Sequence, residues 1–231
     1  MWTSLKAALA GAVLLSALTV GAESVDAPIE RYREAAAERE IGAVKGRAFE
    51  ERRRPTGPDL PLTGTSVRLL PRSVAWMVKL QGIKRGARDS IDAYRESATL
   101  VTKARELYEK RLLEAGAGDL AQAVTVAEDG TFTLEGVPAG PWVLLASRST
   151  FVSKTSHDRR GPAKSPHRPT PFPQPDKLMG YDVVTYWLRE VTVVAGAVET
   201  VELTDRNAWM TGIAETRQPP PPPTQPFQPR R

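Results

Sequence analysis

The side chains able to do chemistry in this chain are few. Its 231 residues hold two histidines and no cysteine. Zero cysteine excludes thiol nucleophiles, thiolate zinc sites, iron–sulfur clusters, disulfide scaffolds and lipidated-cysteine anchors together. His157-Asp158 stands near Ser153 and Ser156, the residue types of a nucleophilic triad, but a triad needs a frame that holds it to about 0.5 Å. This set falls in a stretch punctuated by Pro162, Pro166, Pro169, Pro171, Pro173 and Pro175, so it reads as a solvated polar loop. The acidic pairs Glu128/Asp129 and Glu109/Glu114 fit a turn and a helix surface, and neither has the clustered oxygen ligands of a calcium loop. No catalytic residue, no metal ligand and no cofactor site is expected.

Binding is the chemistry left. Trp76, Trp142, Trp187 and Trp209 carry flat faces of the kind that stack on pyranose rings. Trp142 and Trp187 fall in strand patterns and read as core, which leaves Trp76 and Trp209 as candidate ligand or partner contacts. The basic runs Arg52-Arg53-Arg54, Arg159-Arg160, Lys164, Arg168 and Arg230-Arg231 sit in a chain of net charge +5. They suit an anionic surface such as phospholipid headgroups, lipopolysaccharide or acidic glycans, with Arg159 and Arg160 as candidate contacts. On a flexible loop such charges are screened within about 8 Å at physiological salt.

The elements that would position these groups start after an address. Residues 1–6 carry one positive charge and residues 7–22 form an uncharged apolar run ending Val20-Gly21-Ala22, a signal peptide with its cut before Glu23. The run is short for a membrane span of about 20 residues. The expected compartment is the bacterial periplasm or exterior. Export disfavours nucleic acid, and membrane contact is expected only through an uncleaved signal segment.

Residues 23–41 read as a helical leader, with Asp26 and Pro28 as start signals and Ile29, Tyr32 and Ala36 on one face. Residues 42–214 read as one domain. Alternation over 42–49 and 65–70 gives two half-buried strands. Residues 73–121 change to a helical period. Val74–Leu80 fits either strand or helix, with helix preferred and a bend near 82–86. Beyond it Ile91, Tyr94, Ala98, Val101, Leu107 or Tyr108, and Leu112 share a face. That face packs on the sandwich or docks a partner. Asp89 or Ser90 caps its start and Gly116 its end. Asp129-Gly130 between Val124/Val126 and Phe132/Leu134 is a hairpin signal. Residues 142–146 form the next strand, 147–179 a basic proline-rich linker, and 181–188, 190–195, 198–203 and 208–214 further strands. Residues 215–231 are a polyproline tail, disordered by default. Roughly seven short strands make a two-layer β-sandwich with a helical insert. Its expected core is Val44, Val67, Leu69, Phe132, Leu134, Trp142, Leu144, Val191, Val193, Val201 and Leu203.

Four stretches together resemble a carboxypeptidase regulatory-like domain. They are GAVKGRAF at 42–49, PLTGTSVRLLP at 61–71, EDGTFTLEGVPAGPWVLLA at 128–146 and the closing hairpin at 190–203. The third is the most specific, with Trp142 where the family usually has tyrosine. The resemblance covers about 90 residues and departs at the insert and the linker. It implies a mainly β, transthyretin-like (prealbumin-like) antiparallel sandwich. It does not import an enzyme. Metallocarboxypeptidases need His-x-x-Glu, whereas Asp-Arg-Arg follows His157 and Arg-Pro-Thr follows His167. The transthyretin-like hydroxyisourate hydrolases end in Tyr-Arg-Gly-Ser, and this chain ends in Gln-Pro-Arg-Arg. Sandwiches of this kind include glycan binders. The expected function is a non-enzymatic exported module with a structural or interaction role at the cell envelope, its partner an unknown protein or glycan. A carbohydrate-binding module is the alternative, favoured if two tryptophans are exposed on one face, and a hydrolase of unrecognised type comes third.

Overall fold

The computed structural model describes residues 25–51, 57–153 and 177–218. The segment expected to be a signal peptide, Arg52-Arg53-Arg54, Arg159, Arg160, the middle of the linker and the end of the tail lie outside the described residues.

A short helix, α1 (Ile29–Ala37), leads into β1 (Ile41–Glu50), β2 (Leu60–Pro61) and β3 (Ser66–Pro71). The insert follows as α2 (Val74–Gly86) and α3 (Ile91–Glu114), then a 3-10 turn at Gly118–Leu120. The chain returns through β4 (Gln122–Thr125), β5 (Thr131–Pro138), β6 (Gly140–Ser153), β7 (Lys177–Val193), β8 (Val198–Thr204) and β9 (Met210–Gln218). The protein is mainly β: two sheets face each other and the inserted helices cover one of them.

In the first sheet β1 is central, with antiparallel β5 on one side and β8 on the other, and β2 continues the sheet at the end of β1. One pairing departs from the expected all-antiparallel pattern: β1 and β8 run parallel, from Ala43↔Val198 to Phe49↔Thr204. The second sheet runs β4-β3-β6-β7-β9, antiparallel throughout.

All eleven expected core residues are buried, none more than 7% exposed. Val67, Leu69, Trp142 and Leu144 pack with Val44, Phe132, Leu134 and Leu203 of the other sheet. Each large side chain so buried contributes roughly 1.5–3 kcal/mol. Trp142 also satisfies its indole, which donates to the Pro138 carbonyl at 2.9 Å, and its ring lies 4.7 Å from that of Tyr32 on α1.

Residues 142–146 are buried on both faces, at 0–3% exposure, because α3 lies across the outer side of the second sheet. A strand covered on both sides reads as a continuous apolar run rather than as alternation. The helix seats closely on β9. A Cβ built on Gly212 would stand 2.5 Å from Ser97 Oγ and 3.0 Å from the Ala98 nitrogen. Ser97, Ala98, Val101, Ala104, Tyr108 and Leu112 form the buried stripe of α3. Ile91 and Tyr94, expected on that stripe, are 72% and 37% exposed. Between the alternatives Leu107 and Tyr108, the sheet takes Tyr108, whose hydroxyl donates to the Pro71 carbonyl at 2.9 Å. Ser90 caps α3 by accepting from Ala93 N–H at 3.0 Å. At its end the N–H groups of Gly116 and Ala117 donate to Leu113 and Leu112 carbonyls, a Schellman closure.

Three expectations need correction. The turn at Asp129-Gly130 is real: Asp129 accepts from Thr131 N–H at 2.9 Å and Gly130 has φ +81°. It does not make a hairpin, because β4 pairs with β3 in one sheet while β5 pairs with β1 in the other. The turn carries the chain between layers. The proline-rich linker is also shorter than expected. β6 and β7 stay paired out to Ser153↔Gly180, and β9 follows β7 as far as Gln218. Backbone pairing sustains these ends, whose mixed polar and apolar side chains give no regular apolar period to read. Finally, Asp26 does not start α1. Its carboxylate reaches across to α2, accepting from Ala75 N–H at 2.9 Å and from the Ser73 hydroxyl.

Candidate functional site

The outer face of the second sheet is only partly covered, and the uncovered corner meets α3 in a groove. Register places the parts. Ser66 stands opposite Ser147 and Ser147 opposite Tyr186, so one outward row crosses β3, β6 and β7. Arg68 and Leu145 form the next row on one side, and Ser149 and Val184 on the other. The helix closes the groove with Thr99, Thr102, Lys103, Arg105 and Glu106. Its space is about 610 Å³, within the range of small-ligand sites of roughly 300–1,000 Å³.

Tyr186 is the hinge between helix and sheet. Its hydroxyl donates to the Ala98 carbonyl at 2.9 Å, and the Thr102 hydroxyl stands 3.1 Å away as its donor. Burial raises the Tyr186 phenol above its ordinary value, against the opposing pull of the Thr102 hydrogen bond and the Arg105 charge. The groove is rich in hydroxyls and positive. Arg105 donates to Glu106 at 3.2 Å, while its Nε is shielded from solvent and lies 3.9 Å from Glu109, too far for a hydrogen bond. Arg68 Nε is likewise shielded, with no hydrogen-bond partner among the described residues. Ser149 donates to Asp182 at 2.9 Å.

A second, smaller cleft of about 290 Å³ opens where α1's leading segment meets the helices, lined by Asp26, Ser73, Trp76, Lys79, Tyr108 and Arg111. Burial alone would raise the Asp26 carboxyl, but hydrogen bonds from Ala75 N–H and Ser73 bring it below the usual carboxylate range. Burial pushes the Tyr108 phenol well up, helped by the Asp26 charge. These shifts follow from packing and capping.

Of the expected contact residues, Trp76 and Trp209 lie among the described residues. Trp76 is 4% exposed and stacks on Tyr108 at 4.8 Å, so it is a core ring rather than a platform for a ligand. Trp209 is half-buried at the sheet end, with Lys84 Nζ 5.3 Å from its ring centroid. Trp142 and Trp187, at 0% and 1% exposure, are core as expected. No pair of exposed tryptophans forms a sugar platform among the described residues. Arg159, Arg160 and the other basic runs lie outside the described residues. Glu128/Asp129 is a turn, with the Asp129 carboxyl lowered by hydrogen bonds from Thr131. Glu114 faces Lys110 at 3.7 Å on the helix surface. Among the described residues no group of three or more His, Asp or Glu is placed to hold a metal, and no helix is long and apolar enough to cross a membrane.

The groove residues were missed by sequence reasoning. One signal was present: Arg68 interrupts the apolar run Val67-Arg68-Leu69-Leu70, a charge aimed at the face opposite Val67 and Leu69.

No protein-family model matches the chain, and no curated protein matches it. Among solved structures it overlaps a conjectured carbohydrate-binding protein of Pseudomonas aeruginosa at 14% identity, covering 71% of this chain and 88% of that one, TM-score 0.40. It overlaps the minor pilin of Streptococcus agalactiae at 13% identity, over 82% of this chain and 49% of the other, TM-score 0.29. The TIE protein of Bacillus anthracis gives 12% identity, 71% and 16% coverage, and TM-score 0.29. Overlaps at these scores establish neither a family nor a function, so the molecule stands on its own geometry: a β-sandwich module with a helix-roofed groove.

Proposed function

We propose that this chain is an exported, non-enzymatic binding module of the bacterial cell envelope, built on a sandwich of the carboxypeptidase regulatory-like kind. The observation that carries the reading is the groove under α3. It offers hydrogen-bond donors and positive charge over an apolar floor, which suits holding a ligand. Among the described residues Asp26, Tyr32, Tyr108, Asp129 and Tyr186 have shifted protonation, and each is tied into packing, a cap or a turn. The apolar run at 7–22 supports export.

Two measurements test this. The tagged full chain is expressed in a bacterium, fractionated, and its N-terminus read by mass spectrometry. Cleavage before Glu23 with recovery from the periplasm or medium is expected; retention in the cytosol with residues 1–22 intact refutes the export half. The purified chain is then incubated with envelope glycans and peptides. Bound but chemically unchanged material is expected, and turnover of any of them refutes the non-enzymatic half.

A further inference from the structure

We infer that the groove between α3 and the second sheet takes a carboxylate-bearing sugar, its acid group held by the cationic side of the groove. This deepens the binding role proposed above and rests on it. Arg68 lines the groove, and its Nε, shielded from water, makes no hydrogen bond among the described residues, whereas Arg105 is ion-paired with Glu106 at 3.2 Å and Glu109 at 3.9 Å. A shielded N–H without an acceptor is costly, and more so on a charged group. A carboxylate that draws the Arg68 guanidinium further into the groove relieves that cost and forms the stronger, charge-assisted bond. Lys103 adds a further positive charge, and the carboxylates at the groove are already engaged, Glu106 and Glu109 by Arg105 and Asp182 by Ser149.

The remainder of the lining separates a sugar acid from a bare anion. Ser66, Ser147 and Ser149 present hydroxyls along the uncovered sheet, with Leu145 and Val184 between them. Hydroxyls spaced over an apolar floor match the alternation of O–H and C–H on a sugar ring. A space of about 610 Å³ is more than a single phosphate or sulfate needs. The groove is made by the helical insert, so the site belongs to this chain's departure from a plain sandwich.

The test is calorimetric titration of the full chain with digalacturonate, with maltose as the neutral disaccharide and with inorganic phosphate. Digalacturonate is expected to bind at least about tenfold more tightly than either, since the charge-assisted bonds are lost with maltose and the ring contacts with phosphate. Arg68→Gln is expected to weaken digalacturonate about tenfold. Lys103→Gln, at an exposed side chain on the groove's edge, is expected to weaken it several-fold and to steepen the loss when both are combined. Phosphate binding as tightly as digalacturonate overturns the sugar assignment. Maltose binding as tightly, with both variants unaffected, overturns the site while leaving a binding role intact. No binding of digalacturonate overturns the inference, and the retention of other envelope material then decides the broader reading separately.

Discussion

Gly212→Ala probes the contact on which the groove depends. The new Cβ would stand 2.5 Å from Ser97 Oγ, 3.0 Å from the Ala98 nitrogen and 3.3 Å from Ala98 Cβ. The serine hydroxyl can swing away, but the helix backbone and the Ala98 methyl cannot, so α3 has to lift by several tenths of an ångström. Overpacking of this kind costs about 1–3 kcal/mol. Lifting also stretches the bond from Tyr186 to the Ala98 carbonyl, now 2.9 Å, and a typical hydrogen bond contributes about 0.5–1.5 kcal/mol. Against this, alanine restricts the unfolded chain and returns about 0.4–1 kcal/mol. The net expectation is a loss of about 2 kcal/mol. For a domain of this size that lowers Tm by about 4–8 °C. Thermal and urea unfolding followed by circular dichroism measures it. Adding Ser97→Ala should recover a minor part only, because the backbone contact persists. An unchanged or higher Tm in Gly212→Ala would refute the close seating of α3 on β9.

Asp26→Asn should destabilise at neutral pH, because the lowered carboxyl signals a carboxylate favoured by folding. A depressed folded value contributes stability above the unfolded value of about 3.9 that is lost as pH falls through the folded one. The Tm gap between wild type and Asp26→Asn is therefore expected at pH 7 and should narrow as pH falls below the unfolded value; a gap constant with pH would contradict the role. Trp76→Ala removes a ring buried against Tyr108 and should cost about 3–5 kcal/mol by urea denaturation, and a loss under 1 kcal/mol would show the ring to be peripheral. Tyr186→Phe should cost about 1 kcal/mol by the same assay and make the amides of Ala98 and Thr102 exchange faster with deuterium; unchanged exchange would separate Tyr186 from helix docking.

The legible part of this fold was the face turned toward the other sheet. Val67 and Phe132 alternate with polar neighbours, so period two exposed their strands and these core residues. The second buried face was harder to see. Leu70, Val143, Leu145 and Tyr186 are apolar because a helix distant in sequence covers them, and that cover leaves no local period. Strand ends past Ser147 were hidden for the converse reason, since there the cover stops and Ser147 and Ser149 face the groove. Sheet membership was not legible either. Asp129-Gly130 specifies a tight turn equally well whether its two strands pair with each other or part company. The groove combines residues from β3, α3, β6 and β7, and only tertiary placement makes neighbours of Arg68, Lys103 and Ser149.

The parallel pairing of β1 with β8 has a consequence for how the molecule comes together. Ala43 finds Val198, and Phe49 finds Thr204, across most of the chain. Native partners so remote in sequence make for slow folding. During synthesis the Val198 side of β1 remains an open edge until residues 198–204 have been made. An open edge recruits other strands. A nascent chain is thus most prone to self-association during that interval.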